Sequence, residues 1–459
     1  MTATATAVEL AGAIRAKDLG SLELLDLYLD RIDRLGGDVN AVVTLDADRA
    51  RDLARSADEA TARGDAVGPL HGLPVTIKDA LETEGIRSTG GATELAEHLP
   101  TTDAPAVARL KDAGAIVFGK TNLPRWSGDW QTFNDLFGTS GNPWDTDRTT
   151  GGSSGGAAAA VSAGFTSFEV GTDIAGSVRG PSHFCGVFGL KPTWGVIPSL
   201  GYLDHVGGGS TAADINVFGP IARSAADLDL LLSVLGGPID DDATGWRLEL
   251  PPAGLDDLSG LRVGLWLDDA ASPIDREYLG LLRNVADVLA DAGAQVADEH
   301  PPTELTELLA AFYPMITAAV SPSLDEDVSG SHLAWLQAEE VRAALRQTWA
   351  TWFETFDVLL MPVAPTAAPR HDHAAIGQRT VVINGDERND LVMIDWLSPI
   401  SLLGLPSTAA PIGLTEAGLP VGVQVVAPRF HDRRSIRVAD LLTQQVGGYR
   451  VPPRFEELR

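Results

Sequence analysis

Three stretches of the chain hold residues whose types and spacing can do chemistry. They lie apart from its acidic helical segments. The first is Gly151-Gly152-Ser153-Ser154-Gly155-Gly156. The second is Gly171-Thr172-Asp173-Ile174-Ala175-Gly176-Ser177-Val178-Arg179-Gly180. The third is Lys78, which closes the apolar run Pro74-Val75-Thr76-Ile77. Taken alone, the first stretch allows several chemistries. Gly151-x-Ser153-x-Gly155 matches a nucleophile elbow, which needs a strand directly before the serine. The residues before it, Asn142 to Thr150, do not read as a central strand. Asp372 and His373 would complete a Ser-His-Asp esterase set only on paper. A phosphate-binding loop would need a Gly-Lys-Ser/Thr ending or a preceding strand, and neither is present. A flexible Gly/Ser loop remains the plainest reading of this stretch by itself.

The elements that must carry these stretches follow an α/β pattern. Residues 7–62 read as helices, with Leu10, Ile14, Leu22, Leu25, Leu29 and Ile32 at helical spacing and a helix start near Ser21. Pro74 to Ile77 and Ala115 to Phe118 are short apolar runs expected to be buried strands, with a helix over Val107–Ala113 between them. Residues 124–156 lack periodicity, and such long irregular stretches are usually functional. Ala157–Ala163 reads as a helix, Phe168–Val170 as a strand, and 171–180 as a Gly-rich turn. Strands are then expected over 261–267, 294–296, 357–361 and 420–426. Helices are expected over 275–292, 303–320, 333–355 and 435–446. Residues 237–260 read as an exposed connection and 363–390 as a long loop. The alternation predicts an α/β fold with a mixed central sheet covered by helices on both faces. With no repeat or clear linker, residues 1–459 are read as a single large domain. Within it, 7–62 supply N-terminal helices, 70–225 the catalytic motifs, and 237–390 a more variable region bordering the substrate pocket.

Composition narrows the partners. The 459 residues carry 34 Lys+Arg and 63 Asp+Glu, for a formal charge of −29. Such a polyanion repels nucleic acid and anionic lipid. Hydrophobic residues make up 44%, enough for a real core. The lone cysteine, Cys185, allows no intrachain disulfide and no Cys-rich zinc site. The nine histidines are scattered. No metal and no cofactor are expected. No segment is expected to span a bilayer, and residues 1–10 do not read as a secretory signal. A cytoplasmic protein, monomeric or homodimeric, is the expectation.

The whole arrangement resembles the amidase signature family over nearly the full length. The likeness is densest in Gly72-Leu73-Pro74-Val75-Thr76-Ile77-Lys78-Asp79, in Gly119-Lys120-Thr121-Asn122, and from Gly151 to Gly195. It implies a Ser–Ser–Lys triad: Ser177 the nucleophile, Ser153 the bridging serine on a cis peptide bond, and Lys78 the base. It also implies amide hydrolysis through an acyl-enzyme. The physical logic agrees. A serine hydroxyl is a poor nucleophile until a base takes its proton. No histidine stands at motif spacing, so a lysine is the best candidate. A lysine is a base only when neutral, and desolvation lowers its pKa. The run before Lys78 offers an apolar seat. Ser153 would relay the proton of Ser177 to Lys78 and return it to the leaving amine. The oxyanion needs donors, expected from the backbone N–H groups of Ile174, Ala175, Gly176 and Ser177.

Substrate-binding residues are expected at Trp126, Gly128, Trp130, Thr172, Asp173 and Tyr202. Thr172 and Asp173 are also placed to brace the oxyanion loop, and Arg179 to make an ion pair. The aromatics Trp126, Trp130, Phe133, Phe137 and Trp144 suggest an apolar pocket. Ser154 reads as a structural hydrogen-bonder, Cys185 as a small buried residue, and His371 with His373 as solvated. Three positions depart from the family pattern: Arg125 for Glu, Thr150 for Pro, and Ala175 for Gly. Small amides, esters and carbamates are the expected substrates. The alternatives are a carbamate or aryl acylamide hydrolase, the amidase component of a complex that serves tRNA-bound glutamate, and a non-catalytic binding protein.

Overall fold

A computed structural model describes residues 2–212, 214–324 and 330–456. Near the N-terminus, Thr6 caps the first helix: Glu9 N donates to Thr6 Oγ1, and Thr6 N to Glu9 Oε2. The helices of this region are α1 (Ala7–Ala16), α2 (Ser21–Leu35) and α3 (Ala47–Arg63). They are interrupted by a strand, β1 (Val42–Leu45), within the span read as helical. Its β-branched Val42-Val43-Thr44 suits a sheet, and β1 pairs antiparallel with β3 (Ile116–Thr121). On the other side of β3 runs β2 (Pro74–Lys78), parallel to it. Every residue of β2 and β3 is buried, which explains their continuous apolar sequence.

The chain continues through α4 (Gly155–Ala163), β4 (Glu169–Asp173), α5 (Arg179–Cys185), β5 (Phe188–Lys191), β6 (Val217–Ala222) and β7 (Arg262–Leu265). Then come α6 (Arg276–Asp291), β8 (Gln295–Ala297), α7 (Leu305–Val320), α8 (His332–Trp352) and β9 (Val358–Pro362). The last elements are β10 (Ser407–Leu414), β11 (Pro420–Val426) and α9 (Asp432–Val446). Eight of these strands form one sheet in the order β8-β7-β9-β11-β10-β5-β6-β4. Neighbours from β8 to β9 are parallel. From β9 to β4 they are antiparallel. The fold is therefore α/β with a mixed sheet flanked by helices, as expected. Edge strand β4 packs beside β2 of the smaller sheet, and the chemistry-bearing segments gather along that junction.

Three local expectations change, while residues 142–150 stay outside the large sheet as expected. Gly171, Thr172 and Asp173 continue β4 instead of forming a turn, so the strand's alternation aims their side chains. Residues 380–389 form a hairpin, Thr380–Ile383 with Asp386–Asn389. Its two-residue turn is Asn384-Gly385, both at positive φ (56° and 93°). Asn142 to Thr150 lies in a small ribbon, Gly141–Asn142 with Asp145–Thr149, outside the large sheet. Finally, Leu305–Ser323 is one helical stretch long and apolar enough, by length and composition, to cross a membrane, where no such segment is expected from the sequence. Its apolarity has uses inside the fold. Leu305, Leu308, Phe312 and Met315 are buried, while Ile316, Ala319 and Val320 line a cavity.

Candidate active site

Lys78 ends β2 with its side chain wholly buried. Its Nζ donates to Ser153 Oγ and to Thr172 Oγ1, each at 2.7 Å. Burial pushes this amine well below the ordinary lysine range, against the pull of Asp173 and Glu169. Neither acid is a free counter-charge. Asp173 is paired with Arg179, and burial pushes Glu169 up to about 7. The site thus favours an uncharged amine beside a serine hydroxyl. The Gly152–Ser153 peptide is cis. Gly152 itself allows a close approach: a Cβ there would lie 2.6 Å from Asp129 O and 2.8 Å from Gln131 O. The loop carrying the serine therefore seats directly on the 129–131 backbone. Ser154 is structural, as expected, exchanging hydrogen bonds with the Thr172 backbone at 3.2 and 3.3 Å.

Ser177 sits in a strand–turn–helix between β4 and α5. Its carbonyl accepts from Ser154 N at 3.1 Å, which ties the two serine loops together. Among the described residues no hydrogen bond joins Ser177 Oγ to Ser153 Oγ; Ser177 lines the cavity and Ser153 does not. Asp173 shapes the turn. Its carboxylate accepts from the N–H groups of Gly176 (2.8 Å), Val178 (3.2 Å) and Arg179 (3.4 Å), and from the Arg179 guanidinium at 3.0 and 2.9 Å. Burial pushes this carboxyl up, but Arg179 outweighs it and holds it at about 2. The Arg179 guanidinium is in turn fixed by Gln424 Oε1, Ser401 Oγ and Leu397 O. Of the expected oxyanion donors, Gly176 N–H is committed to the Asp173 carboxylate. Gly176 has φ 102°, and a Cβ there would strike Leu397 at 2.2 Å. Among the described residues the N–H groups of Ile174, Ala175 and Ser177 have no protein acceptor.

A cavity of about 170 Å³ opens over Ser177. Of the expected substrate-binding residues, Trp126, Gly128, Trp130 and Tyr202 line it. Thr172 and Asp173 do not. They sit behind the wall, Thr172 on Lys78 and Asp173 on Arg179, because adjacent strand residues face opposite ways. Trp130 is held by Asp390 through Nε1 (3.0 Å) and by the Arg379 guanidinium 5.5 Å from its ring. The other aromatics pack the loop: Phe133 against His373, and Trp144 onto Cys185 O at 3.0 Å. Ser127, Asp129 and Asp204 also line the cavity and are not singled out by the sequence, and α7, inside the 237–390 region expected to border the pocket, contributes Ile316, Ala319 and Val320.

The residues of the rival esterase set do other work. His373 Nε2 lies 3.1 Å from Thr139 Oγ1, and His371 Nε2 donates to Thr146 O at 3.1 Å. Neither lines the cavity. Cys185 is buried, and burial pushes its thiol up, as fits an inert residue.

The family model for Amidase matches residues 23–331 and 324–436. The chain is 32% identical to a glutamyl-tRNA(Gln) amidotransferase subunit of Moorella thermoacetica, covering 98% of both chains. It is 33% identical to the indoleacetamide hydrolase of Bradyrhizobium diazoefficiens, covering 96% of this chain and 86% of that one. Among solved structures, a bacterial aryl acylamidase of the amidase signature family superposes with a TM-score of 0.83 at 25% identity, covering 96% of each chain. Since sequence and fold agree along the whole length, the chain belongs to the Amidase family, as a hydrolase of amide C–N bonds.

Proposed function

We propose that the protein hydrolyses small apolar or aromatic amides through Ser177, Ser153 and Lys78, with aryl esters and carbamates as further substrates. The observation that carries this reading is the buried Lys78 amine 2.7 Å from Ser153 Oγ, next in sequence to Gly152, which with Ser177 lines a cavity walled by Trp126, Trp130 and Ile316. Neutral Lys78 takes the Ser153 proton as Ser153 takes that of Ser177. Ser177 Oγ attacks the carbonyl, and the N–H groups of Ile174, Ala175 and Ser177 receive the oxyanion. Ser153 then returns a proton to the leaving amine, and water hydrolyses the acyl-enzyme by the same relay. Labelling by a fluorophosphonate probe, lost in Ser177→Ala, tests the nucleophile. A panel of alkyl amides, anilides, aryl esters and aryl carbamates tests the substrate class.

A second reading is the amidase component of a tRNA-dependent amidotransferase, favoured by the likeness to the Moorella protein. The cavity weighs against it. Among the described residues its charged lining residues are Asp129 and Asp204, with no lysine or arginine to receive the α-carboxylate of glutamine. Hydrolysis of L-glutamine in preference to every aryl amide would establish the second reading and overturn the first.

A further inference from the structure

Two carboxylates line the cavity, and their situations differ. Asp129 is satisfied: Arg379 donates to it, and it accepts from Gln131 N at 2.9 Å. Asp204 accepts through Oδ1 from His205 Nδ1 at 2.6 Å, and among the described residues its second oxygen accepts no hydrogen bond. Its side chain is 19% exposed. The groups around the same cavity are mostly apolar, including Ile174, Ile316, Val320 and Ile394, and Tyr202 stands two residues away in the wall. Burial, with the charge of Asp204 added, pushes the Tyr202 phenol up to about 12, so it stays a neutral neighbour.

A carboxylate keeps its free oxygen solvated while the cavity is open. A ligand that fills the cavity strips that water. The loss is offset only if the ligand brings a donor of its own. A purely apolar pocket discriminates weakly between similar substrates. A buried polar group left unpaired rejects the wrong one far more strongly. Resting on the amide-hydrolase reading above, we propose that Asp204 is a specificity residue, selecting amides whose non-reacting part carries an N–H donor. The donor is a ring N–H or an ammonium group.

The test uses three aryl acetamides of similar size: indole-3-acetamide, its 1-methyl counterpart, and 3-(aminomethyl)phenylacetamide. kcat/KM is measured for the full-length protein and for Asp204→Leu and Asp204→Asn. The wild type should prefer a donor-bearing amide over the methylated one by at least about tenfold. In Asp204→Leu that ratio should fall towards one. Asp204→Asn separates the two donors: it keeps an acceptor oxygen, so a ring N–H preference survives and an ammonium preference is lost. A wild-type ratio near one, or an equal loss on all three amides in Asp204→Leu, would overturn the proposal. If no amide is turned over, the amide-hydrolase reading fails on its own. Selection is then read from the dissociation constants of the same three compounds, followed by the fluorescence of Trp126 and Trp130, and equal constants would overturn it.

Discussion

Lys78 and Lys120 stand on neighbouring strands, in register with Thr121 and Ile77 respectively, and both are wholly buried. Burial pushes both amines down, Lys120 to about 8. Their surroundings differ in one respect. Lys120 Nζ donates to the carbonyl of Leu81, to Thr83 Oγ1 (2.8 Å) and to Ser88 Oγ (3.0 Å), with the buried Asp79 carboxyl nearby. Both of those hydroxyls already give their own protons to carbonyls, Thr83 to Leu81 O (3.2 Å) and Ser88 to Ile86 O (3.0 Å), so neither has one to hand to the amine. Lys78 meets two hydroxyls, Ser153 and Thr172, and a hydroxyl can donate as readily as accept. Lys191 repeats the Lys120 pattern, donating to Pro192 O and Leu405 O. On the proposed mechanism burial alone does not make a lysine a base; it also needs a partner able to hand over a proton.

The largest effect that tests this contrast belongs to the nucleophile. Ser177→Ala should lower kcat by about 10⁴-fold or more, and remove any covalent acyl adduct seen by mass spectrometry. The two lysines should then part company. Lys78→Met should cut kcat by about 10³-fold while the melting temperature stays near wild type, because two hydroxyls can pair with each other or with water. Lys120→Met should do the reverse. It leaves the buried Leu81 carbonyl without its Lys120 donor, which costs about 1–3 kcal/mol of stability. Activity per folded molecule should change far less. Thermal melts beside kinetics on both variants separate these outcomes, and equal profiles would erase the contrast.

The pH profile sharpens it further. Protonated Lys78 cannot accept from Ser153, so kcat/KM should rise with pH, along a limb lying well below 10.5. Lys78→Met should lose that limb. A smaller effect falls on stability. Asp173 sits at about 2 in the fold against an ordinary 3.8. A depressed acid stabilises the fold above its unfolded pKa and loses that contribution as pH falls through the folded one. About 2 kcal/mol should therefore disappear between pH 4 and pH 2, seen as a falling melting temperature.

Much of this was legible in the residues, for physical reasons. Strands β2, β3, β9 and β11 announce themselves as short apolar runs, since buried strands need no alternation. Lys78 stands out because it ends such a run. Strand β10 was missed although it lies inside the large sheet, between β11 and β5. Its sequence, Ser407 to Leu414, is small-residue-rich and holds Pro411, which a ladder tolerates where the register shifts, as it does between Pro411 and Gly413. The Asn384-Gly385 hairpin carried a recognised turn signal that went unused. The site divides in the same way. Lys78, Ser153 and Thr172 converge through elements close in sequence or motif. Asp204 reaches the cavity only through the tertiary fold, so no local pattern marks it as a lining residue. Thr172 and Asp173, on adjacent positions of β4, turn to Lys78 and Arg179 rather than to the cavity.

The central claim is that Lys78 is uncharged where the enzyme works, and it can be read directly. The chain has only five lysines, Lys17, Lys78, Lys111, Lys120 and Lys191. Protein labelled with ¹³C at the lysine ε-carbon, titrated by NMR, gives one signal for each. The signal missing from Lys78→Met should titrate with a midpoint well below 10.5. A midpoint at or above the ordinary lysine value would show a charged Lys78, and would contradict its role as the base for Ser153 and Ser177.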